Sequence, residues 1–170
     1  SYNSSLEKVI EKNISINYDT DKDMFCFYFE SFDMCDPVDF ECDSATIDSL
    51  RTIIKKYKEW NKQASTEQVE IQKEIGSLIV DATYFKYGDS WHSSSLRVIF
   101  FEFRSLSKDK HALRISSDVK STSNQFIDGE LISILTWKEV IALENAIQPS
   151  ELAKYKAEAL KKVNIEDTFK

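Results

Sequence analysis

Apolar side chains recur along this chain with two different periods, and the points where the period changes mark out the elements. Leu6, Val9 and Ile10 sit at helical spacing and predict a short opening helix, after which Ile14 and Ile16 alternate with polar residues as a strand does. Met24 to Phe32 is almost continuously apolar and aromatic, a strand buried on one face and packed by rings on the other. Asp36-Pro37 predicts a turn, because proline fixes its own φ and biases its predecessor away from helix. Beyond it Val38, Phe40 and Cys42 alternate with Asp39, Glu41 and Asp43, a second strand whose acids point outward.

Asp43 and Ser44 are good N-caps for a helix to about Trp60, with Ile47, Leu50, Ile54 and Tyr57 on one face. Ser65 and Gln68 form a capping box for a second helix carrying Val69, Gln72, Ile75 and Ile79 toward Ala82. Its end is ambiguous, since Gly76 weakens it and Leu78 to Tyr87 reads equally as a strand. Gly88 to Ser95 reads as a loop, Arg97 to Leu106 as a second strongly apolar strand and Ser107 to Lys110 as a turn. His111, Leu113 and Ile115 open a strand, and a weaker one extends to Phe126 before an Asp128-Gly129 hairpin turn. Leu131 to Leu135 leads into a helix capped by Thr136 and stopped by Gln148-Pro149, and a last helix runs from Ser150 to about Val163.

These elements predict a single α+β domain over residues 1–170, with antiparallel sheet packed by helices. The chain also invites an internal match. Phe27, Phe29, Ser31 and Phe32 fall on Phe101, Phe103, Ser105 and Leu106 at an offset of 74, while Asp43, Ile47, Leu50 and Ile54 fall on Thr136, Val140, Leu143 and Ile147 at an offset of 93. A duplicated strand-strand-helix unit would place its halves at about 14–62 and 96–148. In outline, a repeated antiparallel sheet closed by a helix resembles the Whirly-like single-stranded nucleic-acid binders. That resemblance implies an aromatic, basic sheet face and oligomerisation, and it assigns no residue.

Charge changes the picture most. Asp19, Asp21, Asp23, Glu30, Asp33, Asp36, Asp39, Glu41, Asp43 and Asp48 stand against Lys22 alone, so residues 19–48 carry −9 while the whole chain carries −7. The interleaved phenylalanines are too many for a disordered acidic tail, and the segment reads as a folded acidic surface that would attract a basic partner. Asp33, Asp36, Asp39, Glu41 and Asp43 are the expected partner-binding residues. The expected function is a non-enzymatic inhibitor of a basic, nucleic-acid-handling protein. An immunity protein for a nuclease toxin and a phage-encoded imitator of phosphates both fit. The alternative is the Whirly-like binder, disfavoured by the acidic balance even though Arg51, Lys55, Lys58 and Lys62 form a basic helical stripe.

Other chemistries find poor footing. Asp19, Asp21, Asp23 and Glu30 match four positions of an EF-hand loop, but Met24 stands where the sharp turn needs glycine. Cys26, Cys35 and Cys42 with His92 and His111 lack zinc-knuckle spacing. Asp89, Glu102 and Arg104 imitate the acid, acid-x-lysine order of metal-dependent nucleases, yet an arginine cannot replace the tunable lysine. Asp89, Ser90 and His92 are triad residue types crowded into one loop. No cofactor, metal or catalytic residue is therefore expected. The odd cysteine count, the absence of a long apolar run and an N-terminus without signal-peptide order predict reduced thiols, no membrane span and a cytoplasmic location.

Overall fold

The computed structural model describes residues 7–11, 14–30 and 35–167. In chain order these form β1 (Glu7–Glu11), β2 (Ile14–Asp19), β3 (Met24–Phe29), β4 (Cys35–Cys42), α1 (Ser44–Glu67), β5 (Gln72–Ile79) and β6 (Ala82–Tyr87). They continue as β7 (Ser90–Ser93), β8 (Val98–Ser105), β9 (His111–Lys120), β10 (Asp128–Thr136), α2 (Trp137–Ala146) and α3 (Pro149–Asp167). The strands make two antiparallel sheets, ordered β1-β2-β3-β4-β6-β7 and β10-β9-β8-β5, so the fold is α+β.

Alternation decides what each sheet buries. Ile14, Ile16 and Tyr18 on β2, Phe25, Phe27 and Phe29 on β3, and Phe40 and Cys42 on β4 share one face. Ile99, Phe101 and Phe103 on β8 and Leu113 and Ile115 on β9 share another, and both faces join one core cluster with the helices. Helix α1 packs on β5 and β8 of the second sheet, where the Tyr57 and Trp60 rings both lie against Phe103. Tyr57 donates its buried hydroxyl to the His111 carbonyl at 3.1 Å, and burial pushes its pKa up to about 12. Helix α3 is tied to the first sheet by Tyr155, whose hydroxyl donates to the Ile16 carbonyl at 2.9 Å.

Several elements differ from their sequence prediction for identifiable reasons. Residues 7–11 are an edge strand on β2, not a helix; so few apolar positions do not nucleate a turn of helix, and the β2 ladder supplies hydrogen bonds instead. Pro37 lies inside β4 at a register shift between Cys35 and Val38, where a missing ladder N–H is tolerated. Helix α1 runs on to Glu67 and stops at Gln68, whose φ of 54° breaks the helix. The second helix predicted from Ser65 is instead β5 and β6. A bulge between Glu74 and Gly76 breaks the strand alternation and puts Ile75 on the same buried side as Leu78, while Ile79, which the helical spacing set on one face with Ile75, points to the other side of the sheet. Asp128 and Gly129 open β10, and the strand before them ends at Lys120. The connecting turn is built by Ser121, whose Oγ accepts the N–H groups of Ser123 and Asn124.

Each sheet contains an antiparallel run of four strands followed by an N-capped helix: β1 to β4 then α1, and β5, β8, β9 and β10 then α2. The β6–β7 hairpin is added to the first sheet. The offset of 93 aligns equivalent caps, Asp43 and Thr136. The offset of 74 does not align equivalent strands, because β3 is third in its run and β8 is second in the other.

Candidate functional site

The acids expected to face a partner are distributed quite differently. Strand β4 is central, between β3 and β6, and Asp39 and Glu41 point to the side of the sheet opposite Phe40. That side is covered too: Asp39 is 0% exposed and Glu41 3%. In register, Asp39 lies between Tyr28 and Tyr84, and Glu41 lies beside Cys26. Glu41 is neutralised internally by Lys22, with Nζ to Oε1 at 2.5 Å, and the same ammonium sits 5.6 Å from the Tyr84 ring centroid. The hydrogen bond that Lys22 donates to Glu41 holds the Lys22 pKa well above the ordinary lysine range. Alternation told which way these carboxylates point; it carried no information about a second covered face.

Asp43 is exposed but structural. Its Oδ1 accepts the Thr46 N–H at 2.7 Å, capping α1, and that bond lowers its pKa. Asp33 and the side chain of Asp36 lie outside the described residues. The β2–β3 turn is an acidic hairpin turn rather than a calcium loop: Asp19 Oδ1 accepts the N–H groups of Asp21 and Lys22 at 2.9 and 3.1 Å. Asp23 pairs with Lys156 on α3, which lowers the carboxyl pKa, and Tyr18 donates to the same carboxylate. Asp48 pairs with Arg51. Half of the basic stripe on α1 is engaged within the fold, since Arg51 also donates to the Ile147 carbonyl and Lys58 bridges to Glu144 at 2.8 Å, while Lys55 and Lys62 are exposed.

The residues considered for catalysis or metal binding do not assemble. Asp89 follows Gly88 in the β6–β7 turn of the first sheet, whereas Glu102 and Arg104 stand on β8 of the second. His92 Nδ1 contacts Ser121 Oγ at 3.2 Å rather than Ser90, and that hydroxyl already holds the Ser121 turn. His111 Nδ1 contacts Ser105 Oγ at 3.0 Å, its ring lies on Phe103, and burial lowers its pKa. Cys26 and Cys42 form no disulfide and are buried in the first sheet. Among the described residues no group of three or more His, Cys, Asp or Glu side chains is arranged to hold a metal ion. Nor is any helix among them long and apolar enough to cross a membrane.

A surface that the charge pattern concealed lies on the second sheet. The face of β5, β8, β9 and β10 turned away from α1 carries Ile79 directly opposite Val98, with Phe100 next along β8 and Ile132 across Ser116 from it. Ile79 is 73% exposed, Phe100 40% and Val98 37%. Around them stand Glu74, Glu102, Asp118, Asp128 and Glu130 against Arg104, Arg114 and Lys120. Glu74 and Glu102 are directly opposed across the β5–β8 ladder, a like-charge pair that disfavours the sheet. Arg114, directly opposite Glu102 on β9, turns its guanidinium instead to Glu130 at 3.0 Å, and among the described residues the neutral Gln72 amide donates to Glu102, at 3.1 and 3.2 Å. Sequence signalled this surface only through the apolar residues on both faces of β8. Compared with family models, curated proteins and solved structures, the chain matches none.

Proposed function

We propose that this protein is an acidic, non-enzymatic binding protein that occupies a basic, nucleic-acid-handling partner, as an immunity protein or a phage-encoded inhibitor does. The observation that carries the reading is where the charge ends up. Among the described residues the only buried acids are Asp39 and Glu41, so burial removes two of the seven charges by which the chain's 29 acids exceed its 22 lysines and arginines. Such a field accelerates encounter with a cationic partner and repels nucleic acid itself. Internal ion pairs at Glu41, Asp23 and Asp48 remove those acids from the account, and Asp21, Glu30 and Asp43 remain exposed in the segment first singled out.

The reading is tested by purifying the partner with the protein from its native host and following association by stopped flow at about 50 and 300 mM salt. A cationic partner whose on-rate falls steeply with salt is expected, because the Debye length shrinks well below the encounter distance. An acidic partner, or an on-rate indifferent to salt, overturns it.

A further inference from the structure

We infer that the partner docks on the open face of β5, β8, β9 and β10, through an apolar centre formed by Ile79, Val98 and Phe100. This rests on the reading of the protein as a binder of basic partners and names the surface. Three features converge there. The apolar residues are contiguous in register, so they form one patch instead of scattered exposed side chains. Aromatic and aliphatic anchors ringed by polar groups are the anatomy of an interface that excludes water at its centre. The rim is net acidic, and among the described residues no lysine or arginine forms an ion pair with Glu74 or Glu102. A lysine or arginine seated between those two carboxylates relieves their repulsion as the complex forms.

The charge selects the occupant. A single-stranded nucleic acid could stack on Phe100, but its phosphates would meet five carboxylates against three cations. A second copy of this chain would set acid against acid at the same rim. Pairing along the free edge of β5 is also hindered, since the bulge at Glu74 and Gly76 distorts the strand and Lys56 donates to the Ile75 carbonyl at 2.9 Å. A protein surface with apolar side chains flanked by lysine and arginine satisfies both halves of the patch.

The test uses fluorescein-labelled peptides alternating valine or leucine with lysine, the same sequences with glutamate, and oligo-dT, each titrated by anisotropy against the full chain. The variants are I79S/F100S, which removes exposed apolar area, and E74Q/E102Q, which removes the opposed charges. Both alter surface positions, and their folding is checked by circular dichroism and urea unfolding. The inference expects the lysine peptide to bind, to lose about tenfold or more in affinity with I79S/F100S, and to show a shallower salt dependence with E74Q/E102Q. Equal binding to wild type and I79S/F100S overturns the surface while leaving the basic-partner reading standing. Failure of the lysine peptide to bind overturns both. Oligo-dT binding abolished by I79S/F100S, or a wild-type dimer in sedimentation that the variant dissolves, assigns the face to nucleic acid or to a second copy and overturns the inference.

Discussion

Replacing Lys22 by methionine isolates the structural role of the β4 acids. The substitution keeps most of the aliphatic stem and leaves the Glu41 carboxylate, 4% exposed at its side chain, without its ammonium partner. Stranding one member of a fully buried pair costs about 3–5 kcal/mol, whereas an exposed pair is worth about 0–1 kcal/mol. Lys22 is 45% exposed, so water screens its end of the pair, and a loss of about 2 kcal/mol lies between the two limits. With a urea m-value of about 2 kcal/mol/M, the midpoint falls by about 1 M, and Tm falls by about 4–8 °C. Glu41→Gln in the Lys22→Met background should recover part of the loss, because an amide costs less to bury than an unpaired carboxylate. The pH dependence has a definite sign. The folded-state pKa of Lys22 is raised, so its contribution is complete below the ordinary lysine value of 10.5 and disappears as pH rises through the folded value. Urea unfolding of the four proteins of the cycle at pH 7 is the assay. A Lys22→Met protein within about 0.5 kcal/mol of wild type would refute the reasoning, since it would mean that Glu41 is solvated and available to a partner.

Other outcomes follow from the same contacts. Asp43→Ala should lose about 1 kcal/mol in urea unfolding through the α1 cap, with Asp43→Asn close to wild type; an equal loss in both would assign the effect to charge. Tyr155→Phe should cost about 1 kcal/mol by removing the donor to the Ile16 carbonyl, and should raise amide exchange in α3 more than in α1. His111 is held neutral by burial, with a folded-state pKa below its ordinary 6.5, so stability should be flat above that pH and decline as pH falls beneath it. His111→Gln should flatten the decline between about pH 4.5 and 6.5, above the range where carboxylates titrate.

How much of this was legible in the sequence depends on which force fixed each feature. Strands β3 and β8 declare themselves through dense aromatic and aliphatic runs, and α1 and α2 through caps at Asp43 and Thr136 followed by apolar faces. These are local signals, and local signals survive tertiary assembly. The bulge in β5 does not, because it shifts the side-chain period by one at Ile75 and so leaves the spacing of Val69, Gln72, Ile75 and Ile79 looking helical. The edge strand β1 exists by virtue of β2 and is nearly silent on its own. The site was read least well. The acidic run was real, but Asp39 and Glu41 are buried, Lys22 pairs with Glu41 and Arg51 with Asp48 within or beside the same segment, and Lys156 answers Asp23 from far along the chain. The open face of the second sheet draws on four strands, and no one of them shows it alone.

The central claim is that the exposed acids around Ile79, Val98 and Phe100 meet a basic partner while the β4 acids serve the fold. Carbodiimide-driven labelling of carboxylates, mapped by mass spectrometry in the free protein and in the complex with its native partner, addresses both halves at once. The account predicts that Glu74, Asp118, Asp128 and Glu130 label in the free protein and are protected in the complex, and that Asp39 and Glu41 stay unlabelled in both. Ready labelling of Asp39 and Glu41, or protection on binding confined to them, would contradict it.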